Sequence, residues 1–375
     1  MASSLGMHQA AAQALEPFIA AASAPLAGWV SRYPGYRPMG TLCSYVPEEI
    51  IHAAGLTPVR IRGSNAPLRH ADAHLQSFTC ALCRSTLDQA LNDDIGFLAG
   101  TIFAHTCDTM QALADLWRIN MPASHLVDTV MQPTYLGSPA ARIYLIAELN
   151  RFRELLAAFV GRAIGDDALR ASIALYDETR QLAQALGCLR DRLSATEFFA
   201  ILDAGQRMPR ETFNPLLAEL LAELESVPPQ PRGPRLFLVG AVLDEPRVLE
   251  LIDELGARVV GDDLCSGSRH FYGQVDAAEE PIAALAGYFL QRPPCPTKLH
   301  PAHDAGLNLL DQARKVQADG VVFVLEKFCE PHAFDYALVR PALDRAGLPH
   351  LVLEMDHTPS LEGLRTRLQA FAEIV

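Results

Sequence analysis

The chain has 375 residues, of which half are hydrophobic and a fifth are charged, and its formal net charge is −13. This composition is that of a globular protein, and the length favours two domains over one. An acidic chain without a basic tract binds nucleic acids and anionic membranes poorly, and no apolar run approaches the length of a membrane span. We therefore expect neither nucleic acid nor membrane as a partner.

The first 18 residues, MASSLGMHQAAAQALEPF, lack the basic region that begins a secretory signal peptide. We expect a cytoplasmic protein on this basis. Because the cytoplasm keeps thiols reduced, its eight cysteines are expected to be free thiols, metal ligands or core residues rather than structural disulfides.

The apolar pattern divides the chain into four regions. Residues 1–35 form an Ala-rich N-terminal helical extension, and residues 36–150 alternate short apolar runs with helical segments as a first α/β lobe. Residues 151–232 have a helical pattern and end in a Pro-rich stretch, after which residues 233–375 alternate again as a second α/β lobe. Strand–helix–strand repetition predicts parallel sheets with right-handed crossovers.

Two segments of the chain share one plan. LAGTIFAHTCD (98–108) and ADGVVFVLEKFCE (318–330) each have a glycine, a β-branched apolar run, a short polar exit, and a cysteine followed by an acid. Each cysteine lies just beyond the carboxyl end of a predicted strand, where open parallel sheets bind ligands. Two similar halves facing one crevice would bring Cys107 and Cys329 together, although two buried strands can also look alike by chance.

A helix start explains most of the stretch GTLCSYVPEEIIHAAGLTPVRI (40–61). Pro47 and the acidic pair Glu48 and Glu49 suit the first turn of a helix that Gly55 ends, and TPVRI begins a strand. Only Cys43 has no place in this account.

Cys80 and Cys83 form a C-x-x-C motif ahead of a helix that we predict from Arg84 to about Leu91. The motif suits a redox dithiol, half of a zinc site, cluster ligands or coincidence. Zinc is disfavoured because the chain has no second C-x-x-C to complete the site. The positive end of the predicted helix would favour a thiolate at Cys80.

The remaining cysteines divide by context. Cys188 falls in a helical pattern and is expected to be a packed thiol, Cys265 follows a strand, and Cys295 stands between prolines in a loop predicted to be exposed. Four thiols share a position where a strand or loop gives way to a helix: Cys43, Cys80, Cys107 and Cys329. Soft thiolates in a reduced compartment select iron–sulfur clusters or zinc, and distant ligands favour a catalytic or interfacial cluster.

The sequence resembles the 2-hydroxyacyl-CoA dehydratase / benzoyl-CoA reductase family, in particular its smaller, β-type subunits. The resemblance spans residues 36–375 and rests on seven segments in the family's order. They are LCSYVPEEIIHAAGLTPVRIRG, FTCALCRSTLDQAL, HTCDTMQALADLW, VVGDDLCSGSRHFYGQV, RPPCPTK, ADGVVFVLEKFCEPHAFDYALVRPAL and GLPHLVLEMD.

The resemblance implies two Rossmann-like lobes with a cluster in the crevice between them, held by three cysteines. It further implies a similar second subunit, and a separate ATP-hydrolysing iron–sulfur activator that delivers one low-potential electron. In the dehydratases that electron converts an acyl-CoA thioester into a ketyl radical anion, which expels a hydroxyl group. In the benzoyl-CoA reductases it dearomatises a ring.

The cysteines that match the family's ligand motifs are Cys80, Cys107 and Cys329, with Cys43 as an additional or neighbouring ligand of a [4Fe-4S] cluster. Many members of the family have a residue other than cysteine at the position of Cys83. It leaves open a related branch of homodimeric reductases that carry a double-cubane [8Fe-9S] cluster.

Several charged side chains near these motifs are candidates for proton transfer. We assign catalytic roles to Glu48 and His332, with Glu49 and His105 as further candidates, although helix capping explains the two glutamates better and loop hydrogen bonding explains the two histidines at least as well. Arg269 suits a phosphate or carboxylate, with a structural ion pair as the alternative.

Three hypotheses follow. The first is an iron–sulfur subunit of a dehydratase or reductase heterodimer acting on an acyl-CoA. The second is a homodimeric double-cubane reductase of small molecules, and the third is a non-catalytic scaffold or electron-transfer subunit.

Overall fold

The computed structural model describes residues 9–231, 233–244, 246–357 and 359–375. The first eight residues of the predicted N-terminal extension therefore lie outside the described part. Within that part, eight strands form two four-stranded sheets, and every pairing is parallel. The first sheet contains β1 (Pro38–Thr41), β2 (Thr57–Arg60), β3 (Gly100–Ala104) and β4 (Leu126–Val130). The second sheet contains β5 (Arg235–Gly240), β6 (Arg258–Leu264), β7 (Gly320–Glu326) and β8 (His350–Met355).

The two sheets have the same strand order. The first runs β2-β1-β3-β4 and the second runs β6-β5-β7-β8. The paired segments 98–108 and 318–330 contain β3 and β7, so each supplies the third strand of its sheet. The predicted α/β class with two parallel sheets is confirmed, and the likeness of the two segments reflects equivalent places in the fold.

Helices cover both sheets and fill the region between them. They are α1 (Gln9–Ser23), α2 (Trp29–Arg32), α3 (Glu48–Ala53), α4 (Ala81–Leu91), α5 (Asp108–Asn120), α6 (Pro139–Val160), α7 (Asp166–Cys188), α8 (Ala195–Arg207), α9 (Arg210–Leu224), α10 (Arg247–Glu254), α11 (Pro281–Gln291), α12 (Ala305–Lys315), α13 (Glu330–Ala346) and α14 (Leu361–Ala372). Among the described residues, no helix combines the length and apolarity that crossing a membrane requires.

Local signals account for the ends of the long helices. The Ser138 side chain accepts a hydrogen bond from the backbone of Ala140 at the start of α6, and Gly161 ends that helix with φ 72°. At the start of α8, Ser194 and Glu197 form a reciprocal capping box. Such caps satisfy backbone groups that a helix end would leave unpaired.

Packing crosses the predicted lobe boundaries. Helix α11 comes from the second predicted lobe, yet it packs on α6. Its Ile282 and Phe289 belong to the same buried cluster as Ile50 of α3 and Ile102 of β3. The first sheet therefore completes its core with residues from far along the chain. The domain boundaries at 35, 150 and 232 stay a prediction.

The two sheets face each other through the carboxyl ends of their strands. Arg62, just beyond β2, donates to Asp244, just beyond β5, at 3.0 Å, and the backbone of Gly63 donates to the same carboxylate at 2.8 Å. Beyond β8, the His357 ring lies 2.7 Å from the carbonyl oxygen of Ala66. The loops that follow the strands therefore meet in one crevice, the place where open parallel sheets bind ligands.

Candidate functional site

Three cysteines occupy the same local position in three different helices. Cys80, Cys107 and Cys329 are the N-cap residues of α4, α5 and α13, and none of their side chains caps its own helix. The positive end of each helix dipole therefore lies beside a thiol that is free to bind something else. We call these residues the first thiol group.

The members of this group lie close enough to influence one another's charge. Burial raises the pKa of Cys107 and raises that of Cys329 to about 12, and a negative charge on Cys80 raises both further. Cys80 differs, because a hydrogen bond from the neighbouring Cys83 thiol lowers its pKa to about 7. The structure thus brings together three of the four predicted ligands, one from each of three loops.

The helix after the C-x-x-C motif begins earlier than predicted. It starts at Ala81 rather than Arg84, so Cys80 is the cap and Cys83 lies in the first turn, 1% exposed. The hydrogen bond to Cys80, followed by burial, raises the pKa of Cys83 well above its usual range. Cys83 can therefore stabilise a thiolate at Cys80 by donating this hydrogen bond.

His332 lies against the first thiol group. Its Nδ1 is 3.4 Å from the Cys329 sulfur, and its Nε2 is buried with no hydrogen-bond partner among the described residues. Burial lowers the pKa of His332 to about 3, so the ring is neutral near pH 7. The residue before the cysteine, Phe328, has φ 66°, a left-handed conformation that side chains rarely adopt and that often marks functional loops.

Glu48, the other residue predicted to be catalytic, lies in a buried ion network. Its carboxylate accepts a hydrogen bond from Arg210 at 2.7 Å and lies 3.6 Å from His270. Burial alone would raise its pKa, but the charges of His270 and Arg210 outweigh burial and lower the pKa to about 2. Glu48 therefore stays ionised near pH 7, and these contacts join it to basic side chains rather than to thiols. Its catalytic role stays a prediction.

The other predicted polar candidates have structural partners. Glu49 pairs with Arg180 at 2.7 Å, and Arg269 pairs with Asp263 at 2.7 Å. The His105 backbone donates to the carbonyl of Val130, the last residue of β4.

A second set of three thiols gathers nearby, and sequence reasoning identified only Cys43 in it. Arg269 donates to the Cys265 sulfur at 3.2 Å, and the charges of Cys265 and Cys295, after burial, help raise the pKa of Cys43 to about 11. We call Cys43, Cys265 and Cys295 the second thiol group. It adjoins the first, since the charge of Cys265 also acts on Cys329.

Two expectations about single cysteines are wrong. Cys295 is 7% exposed rather than in an open loop, and it belongs to the core cluster that contains Tyr45. The signal that could have found it is the pair of flanking prolines, which fix a loop so that it can pack. Cys188 is exposed at the end of α7 rather than packed.

The donor set suits a cluster better than a single ion. Across the described ranges, no three Cys, His, Asp or Glu side chains converge closely enough to hold one metal ion. A polynuclear iron–sulfur cluster is wider than an ion and needs its thiolates further apart. Thiols at three helix N-termini, without harder oxygen ligands among them, have the soft chemistry that such a cluster requires.

A large cavity opens near the crevice. It has a volume of about 540 Å³, within the range of small-molecule sites, and mostly apolar walls. Gly63, Ser64 and Asp244 also line a smaller pocket that contains Glu326. Burial raises the pKa of Glu326 to about 9, and the charge of Cys80 contributes, so this acid is protonated near pH 7 beside the first thiol group.

Comparison with known proteins gives a consistent result. The family model described as 2-hydroxyglutaryl-CoA dehydratase, D-component, matches residues 43–375. The chain is 27% identical over 345 residues to the (R)-phenyllactyl-CoA dehydratase beta subunit of Clostridium sporogenes, covering 90% of this chain and 92% of the relative. It is 29% identical over 359 residues to a subunit of the benzoyl-CoA reductase of Thauera aromatica, with coverages of 92% and 93%. The beta subunit of lactoyl-CoA dehydratase from Anaerotignum propionicum is 28% identical over 345 residues, with coverages of 90% and 91%.

Proposed function

Because the chain belongs to the 2-hydroxyglutaryl-CoA dehydratase D-component family, we propose that it is the iron–sulfur subunit of an enzyme that performs radical chemistry on an acyl-CoA thioester. The relatives are dehydratase and reductase subunits by name, so the chain is an enzyme subunit of this family. The proposal adds a [4Fe-4S] cluster, a similar second subunit and an ATP-dependent iron–sulfur activator protein.

One observation carries the proposal, the convergence of Cys80, Cys107 and Cys329. The three thiols come from the ends of three helices and from both sheets. Each helix N-terminus favours the thiolate that iron requires, and the three thiols are partly buried in the crevice. A bound cluster would supply a low-potential electron.

The remaining tasks belong to this chain's own side chains. Glu326 is protonated near pH 7 and lies beside the first thiol group, so it can deliver a proton there. Neutral His332 lies 3.4 Å from the Cys329 sulfur and can hold that sulfur by a hydrogen bond. The cavity of about 540 Å³ has mostly apolar walls and room for an acyl group.

The test is anaerobic turnover of a 2-hydroxyacyl-CoA or an aromatic acyl-CoA. The assay contains this chain, its partner subunit, the activator, ATP and a reductant, and each component is omitted in turn. We expect activity to be lost with every omission, and the protein to contain iron and acid-labile sulfide that air bleaches. Full activity of this chain alone without ATP, or a colourless protein after anaerobic reconstitution, would refute the proposal.

The second thiol group favours one alternative, a homodimeric reductase with a double-cubane [8Fe-9S] cluster. Cys43, Cys265 and Cys295 would give six thiols in two adjoining groups, enough for two joined cubanes. The two candidates differ in stoichiometry, since one [4Fe-4S] cluster gives about four iron atoms per chain and a double cubane gives about eight. An iron count on the anaerobic protein and its oligomeric mass separate them.

A further inference from the structure

A further cavity lies at the edge of the second sheet that faces away from the crevice. It has a volume of about 240 Å³, and the residues that line it include Cys188, Arg235, Arg258 and Val316. Arg235 and Arg258 are the first residues of β5 and β6, so the cavity lies at the amino ends of these strands. The crevice lies at their carboxyl ends, and the proposed radical chemistry therefore does not use this cavity.

Two arginines stand side by side on neighbouring strands in this cavity. Arg235 and Arg258 are register partners in the parallel pairing of β5 with β6, so both side chains leave the same face of the sheet. Like charges in directly opposite positions destabilise a sheet. Arg190, which lines the same cavity, pairs with Asp262 at 2.5 Å. Neither Arg235 nor Arg258 forms an ion pair with a carboxylate of the described residues, so their mutual repulsion has no counter-charge there.

Both guanidinium groups also keep donors that the described chain does not use. The Nε of Arg258 is buried and has no hydrogen-bond partner among the described residues. Arg235 donates through Nε and Nη2 to the carbonyl oxygens of Gln317 and Val316, at 2.8 and 2.6 Å. These two bonds hold its guanidinium in place without neutralising its charge. A buried donor that stays unpaired costs free energy, which a bound acceptor would recover.

The two carboxylates that line the cavity do not neutralise the arginines. Asp253 accepts hydrogen bonds from the backbone of Ala195 and Thr196 at 2.7 and 3.0 Å, so its charge serves the first turn of α8. Asp191 is exposed and forms no ion pair within the described part of the chain. The cavity therefore offers N–H donors and positive charge without matching acceptors, which is the environment that an anion requires.

We propose that this cavity binds a small oxyanion, a phosphate or carboxylate group, between Arg235 and Arg258. A guanidinium presents a planar fork of N–H donors that matches two oxygens of such a group. The cavity is smaller than the sites of about 300 to 1,000 Å³ that hold drug-sized ligands, so it suits a small anion. The ligand is not the substrate of the crevice, and the inference holds whether or not the chain binds iron.

Arg258→Met separates anion binding from a structural role. Without an anion, this variant should raise Tm by about 1 to 2 °C, because it removes the repulsion from Arg235 and keeps an apolar stem. Inorganic phosphate or acetate, added against chloride at constant ionic strength, should raise the Tm of the wild type but not of the variant, since a ligand of the folded state stabilises it. The anion that gives the larger rise identifies the preferred group. The matched control is Arg118→Met, on the exposed surface of α5, which should keep the full rise.

Cys188 provides a second readout in the same cavity. Its thiol is exposed at the end of α7 and lines the cavity, so a bound anion should slow its alkylation by iodoacetamide severalfold. The reagent is uncharged, and the slowing should disappear in Arg258→Met. An equal rise in Tm in wild type and Arg258→Met, or no rise in the wild type with either anion, would overturn the proposal. Unchanged alkylation of Cys188 with both anions would also overturn it, because any binding would then lie outside this cavity.

Discussion

The third strand of each sheet ends in a cysteine that caps the next helix, yet the two exits differ. After β3 the chain reaches Cys107 through His105 and Thr106, neither of which has a positive φ. After β7 it reaches Cys329 through Phe328, whose φ is 66°. The shared strand order thus places each sulfur beyond the carboxyl end of the third strand of its sheet. The backbone of the local loop then sets the direction and the contacts of that sulfur.

The comparison extends to the acidity of the thiols. Cys80 and Cys329 both cap helices, but the pKa of Cys80 is lowered to about 7 by the Cys83 hydrogen bond and that of Cys329 is raised to about 12 by burial. A helix N-terminus therefore does not fix the acidity of a thiol by itself. The surroundings contributed by each lobe decide it.

The largest expected effect concerns the paired cysteines themselves. Cys107→Ala and Cys329→Ala should each abolish binding of the [4Fe-4S] cluster proposed at the first thiol group, because each removes one of its three proposed ligands. Cys188→Ala is the control, because that thiol is exposed at the end of α7. Iron and sulfide analysis after anaerobic reconstitution measures the effect. Equal iron in all three variants would show that the two strand exits do not serve one site.

A second prediction concerns the joint between the lobes. Arg62 pairs with Asp203 of α8 at 2.8 Å and with Asp244 beyond β5 at 3.0 Å. Arg62→Ala should lower the free energy of unfolding by about 2 to 3 kcal/mol, because it leaves two largely buried carboxylates without a cation. The midpoint of urea denaturation measures this loss. Arg118→Ala, which breaks the exposed pair with Asp115, should leave the midpoint unchanged. A similar midpoint for both variants would mean that the Arg62 contacts contribute little.

A third prediction sharpens the contrast in acidity. In apo-protein, Cys83→Ala should raise the pKa of Cys80 toward the ordinary thiol value, because it removes the hydrogen bond that stabilises the thiolate. Alkylation of Cys80 at pH 7 should slow by about tenfold, since the thiolate is the nucleophile. Peptide mapping after iodoacetamide treatment follows Cys80 and Cys188 in one experiment, with the exposed Cys188 as the internal control. If Cys80 reacts at the wild-type rate, Cys83 does not set its acidity.

The smallest effect concerns the left-handed residue. Phe328→Gly should stabilise the protein by about 0.5 to 1 kcal/mol, because glycine adopts a positive φ without strain. Thr106→Gly, at the matching place before Cys107, should destabilise it instead, because the backbone there has no positive φ to relieve. Urea denaturation of both variants gives the two signs. A loss of stability in both would mean that contacts of the Phe328 ring outweigh the strain of its backbone.

Sequence reasoning recovers the parts of this structure that depend on local periodicity. The buried runs at 236–241 and 319–325 became β5 and β7, and the helical pattern from 150 to 225 lies within α6 to α9. The likeness of segments 98–108 and 318–330 correctly anticipated two equivalent strands. These features follow from spacing along the chain, which a sequence shows directly.

The parts that were missed depend on contacts between distant residues. Cys295 was expected to be exposed, but it is buried in a cluster with Tyr45, some 250 positions earlier in the chain. Cys265 meets Cys43 only because the crevice brings the two sheets together. The start of α4 was placed at Arg84 rather than Ala81, since helix boundaries depend on the cap geometry that Cys80 provides.

The packing of α11 onto the first sheet has a consequence for synthesis of the chain. Residues up to Cys295 belong to the cluster that buries Met39 and Ile102. On the ribosome, β1 to β4 emerge long before α11, so the first sheet cannot cover its apolar face while the nascent chain is still short. That face stays incompletely covered until α11 has emerged, and a gene cut between the two lobes would encode a first half that exposes it permanently.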